Sequence, residues 1–171
     1  ISLGIPAEDA KFFTTLTLVA MVVTYAAGVF LIPKYIKQGT ALILSAISGI
    51  ILSVCILMTT GLTSVLFVAA LGISNALVWP AVWPLTLDGL GKFTKTGSAL
   101  LVMAISGWAI ILPLYGRLLD AEKHELIGNG IGTIEATATA STGGYWILIP
   151  CYAMILFFAI WGHKYKSWRK K

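Results

Sequence analysis

Charged residues are scarce in this sequence. Only 11% of its 171 residues are Asp, Glu, Lys or Arg, whereas about a quarter of the residues of a soluble domain are charged. Hydrophobic residues make up 58% of the chain, and its mean hydropathy is +0.90. These values exclude an ordinary water-soluble domain and indicate an integral membrane protein.

The sequence also lacks the groupings that catalysis or metal binding requires. No Asp, Glu, Lys or Arg lies at the centre of an apolar stretch, so the chain holds no intramembrane proton carrier. His124 and His163 lie outside these stretches without a nearby second ligand, and no Ser/His/Asp or Cys/His pairing is present. Cys55 and Cys151 are interpreted as packing residues of apolar helices rather than as a redox pair. We expect no catalytic site, no metal site and no cofactor.

Five apolar stretches are long enough to cross a bilayer as helices, which takes about 20 residues each. They cover residues 12–32, 41–58, 62–87, 98–115 and 145–162. The short alternating runs of barrel strands are absent, so backbone groups have to be satisfied inside helices. The sequence therefore predicts an all-α, polytopic membrane protein with five transmembrane helices.

Basic residues fall mainly on one side of these spans. Nine lie on that side, namely Lys34, Lys37, Lys92, Lys95, Lys164, Lys166, Arg169, Lys170 and Lys171, and three lie on the other, namely Lys11, Arg117 and Lys123. The positive-inside rule assigns the first group to the cytoplasm, with the N-terminus outside and the C-terminus inside. The net charge of +5 therefore needs no nucleic-acid partner, because such residues hold topology and touch lipid headgroups.

This topology divides the chain into five parts. They are an external segment (1–11), four helices (12–117), an external loop (118–144), the last helix (145–163) and a basic cytoplasmic tail (164–171). The loop is polar and rich in Gly, Thr and Ala, and we expect it to be flexible. Since the chain begins with Ile, has an uneven number of spans and shows no signal-peptide pattern, we expect it to be the C-terminal part of a longer protein.

The most unusual stretch is GISNALVWPAVWPLTLD, residues 72–88. At 100° per residue, one helix line within about 60° holds Gly72, Asn75, Ala76, Trp79 and Trp83. In a structural interpretation, the amide bonds a neighbouring helix, the indoles fill the core and the prolines bend the helix. In a functional interpretation, this face lines a cavity for a sugar, whose hydroxyls pair with the amide and whose C–H face lies on an indole.

The other spans carry weaker signals. The first has a polar stripe that includes Tyr25, and the fourth places Trp108 on one face with Tyr115. The second repeats small residues four apart, at Ala41, Ser45, Gly49 and Ser53, which predicts close helix packing. Asp88 and Arg117 lie at span ends, where they cap, pair or gate.

The stretch NALVWPAVWPLTLDGLGKFTKTGSALLVMAISGWAIILPLYGRLLD, residues 75–120, resembles the tenth and eleventh helices of the fucose and glucose/galactose transporter family of the major facilitator superfamily. YWILIPCYAMILFFAIWGHKYKSWRK is similar to that family's last helix and tail, and GVFLIPKYIKQGTAL to its loop between helices eight and nine. The resemblance implies a twelve-helix transporter that binds sugar between two rocking halves, of which this chain holds the last helices. The segment 121–144 departs from the family, whose last two helices are tightly connected.

This resemblance implies the C-terminal portion of a sugar:proton symporter in a bacterial inner membrane. Its partners would be a monosaccharide, a coupling proton, membrane lipids and the N-terminal half of the same protein, which carries the family's proton-binding acids. The family's cavity positions fall on Asn75, Trp79 and Trp83. Weaker contributors are Tyr25 and Trp108, the latter at a position that is often glycine. Topology or gating falls to Asp88, Lys92, Lys95 and Arg117.

A second hypothesis comes from a different class. In it the chain is a structural or assembly subunit of a membrane complex that transports nothing. The Trp-Pro helix is then a packing element, and the external loop is a docking surface.

Overall fold

The computed structural model describes residues 7–32 and 34–164, with the exception of the side chains of residues 7–10 and 108. Within these ranges the chain is helical and contains no strand. The all-α prediction is therefore confirmed. The basic tail from residue 165 onward lies outside the described residues.

Eight α-helices make up most of the described part of the chain. They are α1 (Ala7–Leu31), α2 (Gln38–Met58), α3 (Gly61–Ala76), α4 (Val78–Leu87), α5 (Thr94–Ile105), α6 (Trp108–Gly128), α7 (Thr133–Gly143) and α8 (Leu148–Ile160). There are also three short 3-10 turns. Gly91–Phe93 precedes α5, Gly144–Ile147 precedes α8, and Gly162–Lys164 follows α8.

Joined end to end, these helices give five segments that are long and apolar enough to cross a membrane, among the residues described. They are Lys11–Leu31, Gln38–Met58, Gly61–Leu87, Gly91–Gly128 and Thr133–Lys164. The predicted number of spans is confirmed, and the first three agree closely with the predicted bounds. The last two extend beyond the predicted 98–115 and 145–162, because helix continues into the segment between them.

The segment 118–144 differs from the predicted flexible loop. Helix α6 continues to Gly128, and α7 begins at Thr133 after a turn in which Gly130 has φ +85°. The residues of the first part, LLDAEKHELIG, are mostly strong helix formers. In α7 the hydroxyls of Thr137, Ser141 and Thr142 donate to carbonyls one turn back, so these three are satisfied inside the helix. The prediction of a flexible loop relied too heavily on the Gly, Thr and Ala content of this segment.

Helix α2 lies at the centre of the bundle and packs against α3, α4 and α8, while α1 packs against α3. The side of α2 with small residues is buried at Ala41, Ser45, Gly49 and Ser53. The Ser53 hydroxyl donates to the Gly49 carbonyl at 2.7 Å, so this buried hydroxyl is satisfied within α2. The predicted packing role of this ridge is confirmed.

Helices α1 and α3 approach each other through glycine. A Cβ at Gly72 would lie 2.7 Å from the carbonyl oxygen of Thr17 on α1. On α1, a Cβ at Gly28 would overlap the side chain of Leu77, just beyond the end of α3. At these two glycines the chain segments are therefore in van der Waals contact. A larger residue at either position would push them apart.

Candidate functional site

The Trp-Pro stretch interrupts the third membrane span. Helix α3 ends at Ala76, and α4 begins at Val78 after Leu77. Pro80 causes this interruption, since it has no N–H to donate to the Ala76 carbonyl and its ring would collide with that carbonyl in a continuous helix. In the first turn of the new helix the missing N–H costs nothing, and regular bonding resumes with Ala81 N–H donating to the Leu77 carbonyl at 3.1 Å.

Asn75 lies in the last turn of α3, directly before the interruption. Its side chain is on the open side of the bundle, and its Oδ1 accepts a hydrogen bond from the Tyr152 hydroxyl at 2.7 Å. Within the described part of the chain, its Nδ2 group donates to no other residue. An amide N–H₂ on hydrocarbon is costly, so this edge requires water, a solute or another polar group.

Trp79 and Trp83 follow Asn75 at successive helical turns. Their ring centroids are 5.5 Å apart and the rings are tilted by 58°. Trp79 is 45% exposed, and Trp83 is half-buried. The indoles therefore form a joined aromatic surface that begins one turn beyond the amide and remains open on one side.

The predicted five-residue face is split by the packing. Gly72 and Ala76 are buried, Gly72 against α1. The amide and Trp79 stay open, so the small residues set how close the neighbouring helix comes while the larger ones face outward. Of the three side chains that the sequence placed first, Trp79 and Trp83 are in contact, and Asn75 lies at the end of the preceding helix.

Tyr152 was missed by the sequence reasoning, although it makes the hydrogen bond to Asn75. It lies on α8, 77 positions away along the chain, so no periodicity links it to α3. One signal was available: a phenol inside an apolar span needs a hydrogen-bond partner, and Asn75 was the outstanding polar side chain in the other spans.

Tyr25 lies in a cleft that Asn75 does not line. It is 51% exposed and lines a cavity of about 250 Å³ beside the helix interruption, together with Gly28, Leu77 and Pro80. The neighbouring threonines Thr17 and Thr24 donate to carbonyls of their own helix. The structure therefore places Tyr25 near the Trp-Pro element but does not bring it into contact with the amide.

A second, larger cleft of about 350 Å³ separates α1, α3 and α7. Hydroxyl-bearing residues line it, namely Thr14, Thr17, Ser64, Ser141, Thr142 and Tyr145. The hydroxyls of Thr17, Ser64, Ser141 and Thr142 already donate to backbone carbonyls. This cleft is therefore polar in composition with most of its donors already used.

Comparison with known proteins identifies relatives over most of the chain. It is 35% identical over 131 residues to the glucose/galactose transporter of Brucella abortus, a match that covers 77% of this chain and 28% of that protein. It is 28% identical over 160 residues to the L-fucose-proton symporter of Escherichia coli, covering 91% and 32%. With the L-fucose-proton symporter of Haemophilus influenzae the identity is 30% over 95 residues, covering 56% and 22%. The chain belongs to the fucose and glucose/galactose transporter family.

Membership in this family of the major facilitator superfamily agrees with the five helices long enough to cross a membrane, and the chain is part of a multi-pass membrane protein. It spans less than a third of the length of these transporter relatives. No protein-family model matches the chain. No solved structure matches it.

The charged residues that the sequence assigned to topology or gating lie in two places. Asp88 ends α4, where its N–H donates to the Pro84 carbonyl at 3.0 Å. Lys92 lies in the turn that follows, with its ammonium 5.3 Å from the centre of the Phe93 ring, and Lys95 is exposed in the first turn of α5. Arg117 is exposed in the middle of α6. Asp88, Lys92 and Lys95 therefore lie together around the connection between α4 and α5, and Arg117 lies elsewhere.

Two further predictions concern Trp108 and metal binding. Trp108 begins α6, after a short break at Ser106 and Gly107, but its side chain lies outside the described residues, so its predicted role stays a prediction. Among the residues described, no group of three or more His, Cys, Asp or Glu is positioned to hold a metal ion.

Proposed function

We propose that this chain forms the C-terminal portion of a secondary transporter that moves a monosaccharide, of the glucose, galactose or fucose class, across a bacterial inner membrane. The family relatives support the sugar, since their names are glucose/galactose transporter and L-fucose-proton symporter. Transport would follow alternating access, with the rest of the same protein supplying the opposing half of the site. The C-terminus would lie in the cytoplasm.

One observation carries the proposal: an amide whose Nδ2 group donates to none of the described residues lies four positions before an open indole, beside a break in a membrane span. An amide N–H pairs with a sugar oxygen, and an indole face accommodates the C–H surface of a pyranose ring. Breaks of this kind are common where transporters bind substrate. Asn75 would bind sugar hydroxyls, and Trp79 and Trp83 would shape the site, with Tyr25 and Trp108 as secondary contributors.

The coupling proton would be carried by a residue outside this chain. The first three spans, Lys11–Leu31, Gln38–Met58 and Gly61–Leu87, contain no Asp or Glu. The acidic residues of the last two spans lie between residues 120 and 135, outside the apolar centres. Membrane lipids would cover the outer faces. Asp88, Lys92, Lys95 and Arg117 would hold topology or gate the pathway.

Sugar uptake by the complete transporter tests this site. Asn75→Ala should raise the half-saturation concentration for the transported hexose by about tenfold, because a hydrogen bond worth about 1.4 kcal/mol is lost. Ser48→Ala is the matched control, since it removes a hydrogen bond of 2.8 Å between Ser48 on α2 and Ser74, the neighbour of Asn75 on α3. Unchanged half-saturation in Asn75→Ala, with normal amounts in the membrane, would contradict the site.

A further inference from the structure

A buried tyrosine outside the Trp-Pro helix contacts the candidate site. Tyr152 on α8 is only 3% exposed, and its hydroxyl donates to Asn75 Oδ1 at 2.7 Å. Its ring packs in a cluster of buried residues with Ile56 of α2 and Leu71 of α3. Leu71 lies one turn before Asn75 on α3. The Tyr152 ring therefore packs against α3 beside Leu71, and its hydroxyl reaches the Asn75 amide.

Space for this ring is made by Gly49 on α2. A Cβ at that position would overlap the aromatic carbons of Tyr152. The small-residue ridge of α2 therefore does more than allow close packing, because at Gly49 it opens the passage through which the α8 phenol reaches α3. Three helices take part in holding one hydrogen bond.

The hydrogen bond fixes which edge of the amide faces outward. An Asn side chain can turn by half a rotation and exchange its oxygen with its nitrogen. A buried phenol that donates to Oδ1 opposes this exchange, since the flipped amide would leave that hydroxyl without its acceptor in a region of low dielectric. With Oδ1 occupied by Tyr152, the Nδ2 group is left on the open side.

We infer that Tyr152 is a positioning residue for the sugar site: it holds the Asn75 amide so that two N–H donors point at the substrate, and it thereby selects an acceptor oxygen on the sugar. This inference rests on the proposed function. The specificity consequence is chemical. The contact at Asn75 requires a lone pair on the sugar, from a hydroxyl or the ring oxygen, and it does not need a sugar O–H donor.

The test compares uptake by the complete transporter carrying Tyr152→Phe, Asn75→Ala, both together, or Ser48→Ala. Tyr152→Phe keeps the ring and removes only the hydroxyl, so the half-saturation concentration should rise about three- to tenfold with little change in maximal rate. The double variant should be no worse than Asn75→Ala alone, because Tyr152 acts through Asn75. Ser48→Ala should behave like the unaltered protein.

Each contrary outcome has a distinct meaning. If Asn75→Ala impairs uptake while Tyr152→Phe matches Ser48→Ala, the positioning role is wrong and the sugar site stands. If the effects of Tyr152→Phe and Asn75→Ala add in the double variant, Tyr152 acts on general packing, and the inference is overturned. If Asn75→Ala changes nothing, the proposed site itself fails.

Two further variants separate folding from positioning and test the donor. Gly49→Ala keeps the phenol but displaces its ring, and it should reproduce the rise in half-saturation seen with Tyr152→Phe; normal half-saturation would overturn the inference. Asn75→Asp still accepts from Tyr152 but has no N–H, so it should lose affinity at least as strongly as Asn75→Ala. Affinity equal to that of the unaltered protein would show that the donors are not used.

Discussion

At the scale of the residue, Trp79 is the side chain with the largest open aromatic surface next to the amide. Its exposed fraction is 45%, and its ring packs against that of Trp83, with the ring centroids 5.5 Å apart. The supporting ring limits the orientations of Trp79, so less conformational entropy is lost when a ligand stacks on it. A pre-oriented indole of this kind fits the apolar face of a pyranose.

Replacement of this indole should weaken sugar binding in proportion to the aromatic surface removed. Trp79→Ala should raise the half-saturation concentration for uptake about fivefold, corresponding to about 1 kcal/mol of stacking, and Trp79→Phe should have a smaller effect. Trp161→Ala is the matched control, because Trp161 is also exposed and also leans on an aromatic ring one turn away, Phe157 at 5.7 Å. Equal effects of Trp79→Ala and Trp161→Ala would argue against stacking at Trp79.

Sequence alone identified candidate residues but not the contacts that support them. Helical spacing predicted one face for Asn75 and the two indoles, because residues four apart share a face of a continuous helix. The role of Tyr152 could not be predicted, because its contact with Asn75 depends on how α8 packs against α2 and α3. Tyr25 lines a cleft that Asn75 does not line, and its predicted role as a weaker contributor stays a prediction.

At the scale of the element, the interruption at Leu77 was predictable because proline acts locally. Pro80 removes a donor and displaces a carbonyl wherever the helix lies. The helical character of residues 118–144 was not predicted, because polarity and length were taken as signs of a loop. Helix α7 is held to α6 by specific contacts instead: the Tyr115 hydroxyl donates to the Ser141 carbonyl at 3.3 Å, and the Tyr115 and Tyr145 rings meet edge to face.

The contact between α1 and α3 gives a prediction for stability. Gly72→Ala should destabilise the protein by about 1–3 kcal/mol, because the new methyl meets a backbone oxygen that cannot rotate away. The melting temperature in detergent measures this. Gly116→Ala on α6 is the control: its Cβ would meet no atom within 4 Å, and alanine favours a helix by about 0.5–1 kcal/mol. Equal melting temperatures for the two variants would show that α1 and α3 are not in close contact.

At the scale of the whole molecule, every span leaves large apolar side chains uncovered. Phe30, Leu100, Ile110 and Met154 are examples, and each is more than half exposed. Composition predicted this correctly, since a chain with 11% charged residues cannot cover itself with polar side chains. These surfaces call for lipid hydrocarbon or the remaining part of a transporter, and only a solute pathway would be wet.

The most direct test is therefore whether a water-soluble reagent reaches the face that carries Trp79, and whether bound sugar blocks that access. In the complete transporter with Cys55 and Cys151 replaced by alanine, a water-soluble, membrane-impermeant thiol reagent is applied to Trp79→Cys and to Met154→Cys. Met154 is 75% exposed and lies on the opposite side of α8 from Tyr152, so it serves as a lipid-facing control.

We predict rapid labelling of the thiol at position 79 that saturating D-glucose, D-galactose or L-fucose slows, and little labelling at position 154 with or without sugar. Slow labelling at position 79, equal to that at position 154 and unaffected by all three sugars, would contradict this prediction, because the Asn75 and Trp79 face would then lie against lipid or protein rather than in a substrate pathway.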